Sequence, residues 1–365
     1  MNQSEPLLLL VNPGSTSTKM AVWRGSEPLF SRTVQHGAAE LANFHSIAEQ
    51  HDFRKRVILE ILRENGCCLS DFTAVVGRGG LLRPLPAGTY RVDAAMIADL
   101  EAGVQGEHAS NLGGLIAAEL AREAGITAYV VDPVVVDEMD EVAKLTGHPR
   151  IFRQSVFHAL NHKAVAHLAC RKLNKTYAGS RLIVAHLGGG ISVGVHRDGR
   201  VVDVNNALDG DGPMAPERAG SLPAGQWLSE CLRPERDAAG LRRQLAGLGG
   251  WKAHLGTSNA REVHERMVQG DRQAALVFEA TAYQVAKEIG AAATVLEGKV
   301  DAIVFTGGLA HDADLIGRIT ARVAFIAPVL VFPGEDEMRA LAEGVLRVLR
   351  GEEPLRIYAD FRSKG

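Results

Sequence analysis

The strongest constraint on the fold of this chain is a strand–turn–strand pattern that occurs twice, about half a chain apart. The first copy is Leu7–Trp23, LLLLVNPGSTSTKMAVW, and the second is Arg181–Val204, RLIVAHLGGGISVGVHRDGRVVDV. In each copy an apolar strand enters a small-residue turn, and a second strand follows. When the turns are aligned, Asn12 of the first copy falls on His186 of the second. The pattern predicts a duplicated fold.

A second repeated pair occurs in the same order. Ala74–Gly80, AVVGRGG, resembles Ala302–Gly308, AIVFTGG, and each reads as a buried strand that ends in two glycines. One glycine turn alone is equally consistent with an ordinary hairpin. Two related pairs in one order instead favour two similar halves with a nucleotide cleft between them.

Hydrophobic periodicity predicts the same order of elements in both halves. The first half reads as three strands, a helix at Phe44–Asn65, a strand, a helix at Asn111–Ala124 and a last strand. A helix at Ser155–Leu173 opens the second half, which then repeats three strands, helices and a strand. Continuous apolar strands between helices predict an α/β fold with sheets covered on both faces.

The length of 365 residues fits two domains. We predict an N-terminal domain at 1–155, completed by a C-terminal helix at 345–365, and a C-terminal domain at 156–344. The net charge of −3 and the aromatic content of 5% argue against a nucleic-acid partner. The four cysteines form no C-x-x-C pair, which indicates neither a zinc ribbon nor a disulfide framework. No leader or long apolar run is found, so we expect a cytoplasmic protein that does not bind membranes.

Several common catalytic motifs are missing from the sequence. It contains no G-x-x-x-x-G-K-[ST], no G-x-G-x-x-G after a strand and no H-E-x-x-H. His158 and His162 have the spacing of two metal ligands on one helix face, but no third ligand is evident. We therefore favour one functional and one solvated histidine.

The two turns carry groups that suit phosphate. The hydroxyls of residues 15–18, with backbone amides and Lys19, can contact and neutralise a phosphate, although a Ser/Thr-rich hairpin is the plainer alternative. At Gly188–Gly190 no Cβ projects, so amides can approach an anion and the backbone can adopt positive φ.

Other candidate groups stand at strand ends and in loops. Asp132 follows a strand and is a candidate Mg²⁺ ligand, or an ordinary turn aspartate. Arg78 and Arg218 are loop guanidinium groups that suit carboxylate or phosphate, or solvent. Gly307-Gly308 would let a sugar or base lie against the backbone. Together these groups suit phosphoryl transfer, which needs alignment and charge neutralisation more than covalent help.

Three of these segments resemble the motifs of the acetate kinase, or acetokinase, family. NPGSTSTK at Asn12–Lys19 and HLGGGIS at His186–Ser192 are similar to its two phosphate motifs, and FTGGL at Phe305–Leu309 is similar to its adenosine motif. The family belongs to the superfamily of sugar kinases, chaperone ATPases and actin, and the resemblance covers essentially the whole chain. It implies a duplicated actin-like or ribonuclease H-like ATPase fold, whose two domains each have a mixed central sheet flanked by helices.

Within the family, four stretches resemble the members that act on butyrate: GEHASNLGG at 106–114, VVDPVVVDEM at 130–139, VNNALDGDGP at 204–213 and PERAGSLP at 216–223. The resemblance implies reversible, ATP-dependent phosphorylation of butyrate to butyryl phosphate by direct in-line transfer to the carboxylate. It implies Mg²⁺ with ATP or ADP as cofactors. The implied partners are ATP, a short-chain acid and further copies of the chain, in a dimer or larger homo-oligomer.

The resemblance also assigns roles to individual residues. Nucleotide contacts fall on the two phosphate motifs and the adenosine motif: Asn12, Ser15, Ser17, Lys19, His186, Gly188, Gly189, Gly190, Gly307 and Gly308. Catalytic roles fall on Arg218, His158, Asp132 and Arg78, with His158 on the transferring phosphoryl group. Metal ligation falls on Glu337 and Asp132. The sequence departs from acetate kinases in having Gly189 where they have asparagine and in placing Arg78 directly before Gly79-Gly80.

Other functions stay open at this stage. A kinase for isobutyrate, propionate or acetate would differ in the pocket for the acyl chain, where one methylene changes selectivity by roughly 10–200-fold. A sugar kinase would release ADP with a hexose and no fatty acid. An actin-like ATPase would polymerise with ATP, which sedimentation would detect.

Overall fold

The computed structural model of this protein describes residues 5–361, which form two compact units. Among the described residues, unit 1 comprises 5–136 together with 336–361, and unit 2 comprises Asp137–Glu335. The domain boundary predicted at residue 155 therefore lies inside unit 2. The predicted C-terminal helix at 345–365 is wrong beyond Leu349. Gly351 has a φ of 74° and Pro354 follows, so the helix ends there; residues 362–365 lie outside the described residues.

Unit 1 is built on a seven-stranded sheet, as traced over residues 5–361. The strands are β1 Leu7–Pro13, β2 Ser17–Arg24, β3 Glu27–Gln35, β4 Ala74–Arg78, β5 Thr89–Arg91, β6 Thr127–Val131 and β12 Arg356–Ile357. Their order across the sheet is β12-β5-β6-β4-β1-β2-β3. Strands β1, β2 and β3 form an antiparallel meander, whereas β4 and β6 run parallel to β1. The carboxyl ends of β1, β4 and β6 therefore meet at one edge of the sheet.

Helices cover this sheet. They are α1 Ala38–Leu41, α2 His51–Glu64, α3 Ala94–Ala102, α4 Asn111–Ala124 and α13 Glu337–Leu349. Apolar side chains of α2, α4 and the strands form a buried cluster that includes Ile58, Leu9 and Ile116. The predicted start of α2 at Phe44 is wrong. The Ser46 hydroxyl accepts a hydrogen bond from the Glu49 amide, at 3.4 Å, and a 3₁₀ turn at Ala48–Gln50 leads into the helix.

Unit 2 repeats the path of the first sheet. Its strands are β7 Arg181–Leu187, β8 Ile191–Arg197, β9 Arg200–Val204, β10 Ala302–Gly307 and β11 Val329–Pro333, in the order β11-β10-β7-β8-β9. Strands β7 to β9 form the antiparallel meander. Strand β10 runs parallel to β7, and β11 runs parallel to β10. The order β3-β2-β1-β4-β6 thus recurs as β9-β8-β7-β10-β11, and the predicted duplicated fold is confirmed.

The helices of unit 2 are α5 Glu141–Lys144, α6 Ala159–Leu173, α7 Ala224–Cys231, α8 Ala238–Leu245, α9 Trp251–Leu255, α10 Ala260–Val268, α11 Arg272–Val295 and α12 Ala313–Val323. The start of α6 predicted at Ser155 is wrong. His158 has a ψ of 60°, outside the helical region, so the regular helix begins one residue later. Across residues 5–361, every helix is too short or too polar to cross a membrane.

Glycines let α4 pack directly against β4 in unit 1. A Cβ at Gly77 would lie 2.1 Å from the Gly113 carbonyl oxygen, and a Cβ at Gly113 would lie 2.4 Å from the Arg78 carbonyl oxygen. Only glycine fits at this separation, as in other close helix–strand contacts. The predicted GEHASNLGG segment therefore sets the position of Arg78.

We expect Gly113→Ala to destabilise unit 1 by about 1–3 kcal/mol, since its methyl group would overlap the Arg78 carbonyl oxygen. The matched control is Gly290→Ala on α11, where a Cβ would meet nothing within 4 Å. That change should be neutral or stabilising by about 0.5–1 kcal/mol. Thermal melting followed by circular dichroism compares the two variants, and equal melting temperatures would contradict the proposed packing.

Candidate active site

In unit 1, three predicted site residues contact one another at the carboxyl edge of the parallel strands. Asn12 lies near the end of β1, Arg78 ends β4 and Glu337 begins α13. The Asn12 amide and the Arg78 guanidinium each donate a hydrogen bond to the Glu337 carboxylate. Lys19 is the cross-strand neighbour of Asn12 on β2. The cluster presents amide, carboxylate, guanidinium and ammonium groups at a single sheet edge.

Asp132 follows β6 at the same sheet edge. Asp132 is 4% exposed, and its φ is 38°, a backbone conformation that non-glycine residues rarely adopt. Its Oδ1 accepts the Gly88 amide at 2.7 Å, and its own amide donates to the Gly88 carbonyl oxygen at 3.0 Å. Strained backbone of this kind concentrates at functional sites.

The phosphate-motif turn of unit 1 is held by a buried arginine that the sequence reading missed. Arg54, on α2, donates to the carbonyl oxygens of Ser15 at 3.2 Å and Ser17 at 2.6 Å, and to the Thr18 hydroxyl at 3.2 Å. Burial lowers the pKa of Arg54. Its place on the apolar stripe of α2, four residues before Ile58, was the available signal. The hydrogen bonds from Arg54 thus hold the backbone of the turn in place, while Ser15 stays exposed.

A second missed residue is His108, in the GEHASNLGG segment. Its Nδ1 lies 2.8 Å from the Ser110 hydroxyl. Burial, and then the positive charge of Arg78, lower the pKa of His108, so the imidazole stays neutral beside the site.

In unit 2, the glycine turn at Gly188–Gly190 joins β7 to β8 beside Arg218. The expected positive φ is wrong: none of the three glycines adopts it. Their small size is what matters, because a Cβ at Gly190 would lie 2.8 Å from the Ala207 carbonyl oxygen and 3.6 Å from Arg218 Cγ. The Glu217 amide donates to the Gly189 carbonyl oxygen at 3.0 Å and fastens the arginine loop to the turn.

Arg218 carries a nitrogen that its own fold leaves unsatisfied. Its Nη1 donates to the Glu217 carbonyl oxygen at 3.2 Å, but Nε is buried with no hydrogen-bond partner within residues 5–361. The loop is rigid, since the Ala215 amide donates to the Arg218 carbonyl oxygen at 3.0 Å and the Trp251 amide donates to the Ala215 carbonyl oxygen at 3.2 Å. A buried donor of this kind is suited to an anionic ligand.

His158 and His186 stack face to face, with ring centroids 3.7 Å apart and planes 8° from parallel. His186 is fully buried; its Nδ1 lies 2.8 Å from Asn161 Oδ1, and its Nε2 lies 2.9 Å from Glu335 Oε1. His158 and His162 were predicted to be one functional and one solvated histidine; His162 is fully buried, so it is not the solvated one. His158 and His162 both hydrogen-bond the Ser192 hydroxyl, at 3.0 and 2.8 Å.

The adenosine-motif glycines end β10. Gly307 has a φ of 86° and exchanges backbone hydrogen bonds of 3.1 and 2.9 Å with Gly334. A Cβ at Gly307 would lie 2.4 Å from the Leu187 carbonyl oxygen, whereas a Cβ at Gly308 would meet nothing within 4 Å. Gly307 therefore allows close strand packing, and Gly308 leaves space at the sheet edge where β7 also ends.

The fold is shared with solved acetate and propionate kinases. The chain is similar to the acetate kinase of Porphyromonas gingivalis, with a TM-score of 0.76 and 21% identity over 94% of this chain and 100% of that chain. It is also similar to a propionate kinase of Francisella tularensis, with a TM-score of 0.71 and 18% identity over 93% and 98% of the two chains. The architecture is therefore the actin-like ATPase fold of these kinases.

The sequence is closer to two curated relatives. It is 49% identical to butyrate kinase 2 and 50% identical to butyrate kinase 1 of Clostridium acetobutylicum, over 96% of this chain and 99% of each relative. The model of the acetokinase family matches residues 142–327. The chain belongs to the acetokinase family.

Proposed function

We propose that this protein is a butyrate kinase, which transfers the γ-phosphoryl group of ATP to butyrate and runs the reaction in both directions. The observation that carries the proposal is the 49–50% identity to two butyrate kinases over 96% of the chain. The acetate and propionate kinases that share the fold are only 21% and 18% identical to this chain, so they support acetate or propionate as its substrate less strongly.

The reaction needs little acid–base catalysis from the protein. A short-chain carboxylate is already ionised at neutral pH, because carboxyl groups have pKa values near about 4. One carboxylate oxygen forms a bond to the γ-phosphorus while the bond from that phosphorus to the bridging oxygen breaks, and ADP leaves with the electron pair. The protein must therefore hold two anions in line and offset the repulsion between them.

In unit 2, Arg218 and His158 are proposed to contact the transferring phosphoryl group. The buried Arg218 Nε and the rigid loop around it supply a positive charge that needs little reorganisation during the reaction. Because the Gly188 amide donates to the Gly190 carbonyl oxygen at 3.1 Å, the backbone amides of Gly189 and Gly190 are proposed to contact the phosphate chain. The space at Gly308 is proposed to receive the nucleoside.

In unit 1, Asn12, Ser15, Ser17 and Lys19 are proposed to contact phosphate. The carboxylate oxygens of Glu337 and Asp132 are of the kind that Mg²⁺ prefers, and both residues stand at the same sheet edge, so this donor set fits a magnesium ion. When bound, Mg²⁺ would supply positive charge to the nucleotide phosphates. Arg78 holds the Glu337 carboxylate in place, and we propose that it orients this group during catalysis.

Acyl phosphate trapped as hydroxamate tests the proposal across straight-chain acids of two to six carbons, with ATP and Mg²⁺. We expect the highest kcat/KM with butyrate, and a value for propionate lower by about 10-fold or more, since one methylene is worth roughly that much. A higher kcat/KM for acetate or propionate would reassign the acid. Release of ADP that needs a hexose and yields no hydroxamate would overturn the proposal.

The homo-oligomer that the family resemblance implies stays a prediction. Sedimentation velocity of the purified chain reads the assembly directly. We expect a discrete dimer or larger oligomer whose size does not depend on ATP, whereas nucleotide-driven polymers would favour a filament-forming ATPase.

A further inference from the structure

A line of hydrogen-bonded side chains runs through unit 2 away from His158. Its Nδ1 lies 3.0 Å from the Ser192 hydroxyl, which lies 2.8 Å from His162 Nε2. His162 Nδ1 lies 3.3 Å from His196 Nε2, and His196 Nδ1 lies 2.8 Å from the hydroxyl of Tyr177. We call these five side chains the histidine chain.

The interior of the histidine chain is buried and closely stacked. Ser192, His162 and His196 are each 0% exposed, and Tyr177 at the far end is half-buried. The His162 and His196 rings lie 5.6 Å apart and 11° from parallel, and Phe157 packs edge-on against His162 at 5.1 Å. Apolar side chains could fill the same volume without needing hydrogen bonds, so the polar line calls for a role beyond packing.

Burial keeps the two interior histidines of the histidine chain neutral, and this limits the directions that its hydrogen bonds can take. Burial is the largest cause that lowers the pKa of His162 and of His196 well below the usual histidine value, and nearby histidines or Lys163 lower it further. Both rings are therefore neutral, and a neutral imidazole has one N–H donor and one acceptor nitrogen. Across the two imidazoles the hydrogen bonds therefore share one direction, and the Ser192 hydroxyl, which has a single O–H, can donate to only one of its two histidines.

The site fixes that direction. Phosphoryl oxygens accept hydrogen bonds, and Nδ1 of His158 faces Ser192, so a neutral His158 must carry its one proton on Nε2 to donate to the phosphoryl group. Nδ1 then accepts from the Ser192 hydroxyl, Ser192 accepts from His162, His162 accepts from His196, and His196 accepts from Tyr177.

We propose that Ser192, His162, His196 and Tyr177 are positioning residues that hold His158 in the tautomer with the proton on Nε2. This proposal rests on the proposed function only for the direction of the hydrogen bonds in the histidine chain. None of the four needs to touch the substrate; they ensure that His158 presents a donor, not a lone pair, to the phosphoryl group.

The test is ¹⁵N NMR of substrate-free, histidine-labelled protein at about pH 8, where histidine is ordinarily neutral. Protonated and unprotonated ring nitrogens have well-separated shifts, and His158→Gln identifies the His158 signals. We expect an Nε2–H tautomer in the wild type and a mixture of both tautomers in Ser192→Ala and Tyr177→Phe. Tyr90→Phe in unit 1, which loses a hydroxyl bonded to the Pro86 carbonyl oxygen at 2.6 Å, should leave the tautomer unchanged.

Kinetics give the second readout. Ser192→Ala should lower kcat by about 10-fold, the worth of one hydrogen bond of about 1.4 kcal/mol, with little change in the KM for ATP. Tyr177 lies nearer the surface, so Tyr177→Phe remains informative if Ser192→Ala fails to fold. A His158 that carries its proton on Nδ1 in the wild type, or keeps one tautomer in Tyr177→Phe, would overturn the proposal. Failure of butyrate phosphorylation with the expected NMR result would instead reject the proposed function and leave the tautomer assignment standing.

Discussion

Arg218→Ala is expected to lower kcat for butyrate phosphorylation by about 10³–10⁵-fold, the range for arginines that stabilise phosphoryl transfer. The structure gives the reason: Arg218 Nε is buried with no hydrogen-bond partner within residues 5–361, which suits this donor to an anionic ligand. Steady-state assays of acyl phosphate formation at saturating ATP measure the loss.

Two further variants separate charge from geometry and from general damage. Arg218→Lys keeps the charge but loses the planar fork, and its kcat should stay at least about 10-fold below that of the wild type. Arg233→Ala removes an exposed arginine of unit 2 that pairs with Glu230 at 2.9 Å, and it should retain full activity. If Arg218→Ala, folded as judged by thermal melting, turned over at a rate near wild type, Arg218 would not belong to the site.

His158→Ala is expected to lower kcat by about 10²–10³-fold, the usual effect of removing one donor aimed at charge that develops in the transition state. His158 lies at the start of α6, stacked on His186 and hydrogen-bonded to Ser192, so it is held in one orientation before substrates bind. The KM for butyrate should change much less than kcat, since the contact is made to the phosphoryl group.

The control for His158 is His148→Ala, which removes an exposed histidine from a loop of unit 2. It should leave kcat and the melting temperature near their wild-type values. A His158→Ala protein that matched His148→Ala in kcat would show that the stacked pair is structural, and the histidine chain would then have no catalytic purpose.

Local patterns were enough to predict the duplicated fold. Two hairpins with apolar strands and small-residue turns fix β1-β2 and β7-β8, and the strands before Gly79-Gly80 and Gly307-Gly308 fix β4 and β10. Helix α4 was predicted with its observed bounds, because its apolar stripe and the glycine that ends it are both local signals.

The supporting residues could not be predicted because their partners are distant in sequence. Arg54 reaches carbonyl oxygens 37 and 39 positions away, and Ser192 bonds histidines 30 and 34 positions away. No periodic pattern encodes such pairs. The role of the turn glycines was also hidden, since the need for small size at Gly190 arises from Ala207, which a different segment brings there.

The most direct measurement of the central claim is ³¹P NMR of the reaction with [¹⁸O₂]butyrate and ATP. If the carboxylate attacks the γ-phosphorus, a butyryl phosphate signal will grow as the γ-phosphate signal falls, and it will carry the isotope shift of one ¹⁸O bonded to phosphorus. Loss of the γ-phosphate signal to orthophosphate alone, or an acyl phosphate signal with no isotope shift, would contradict direct transfer to butyrate.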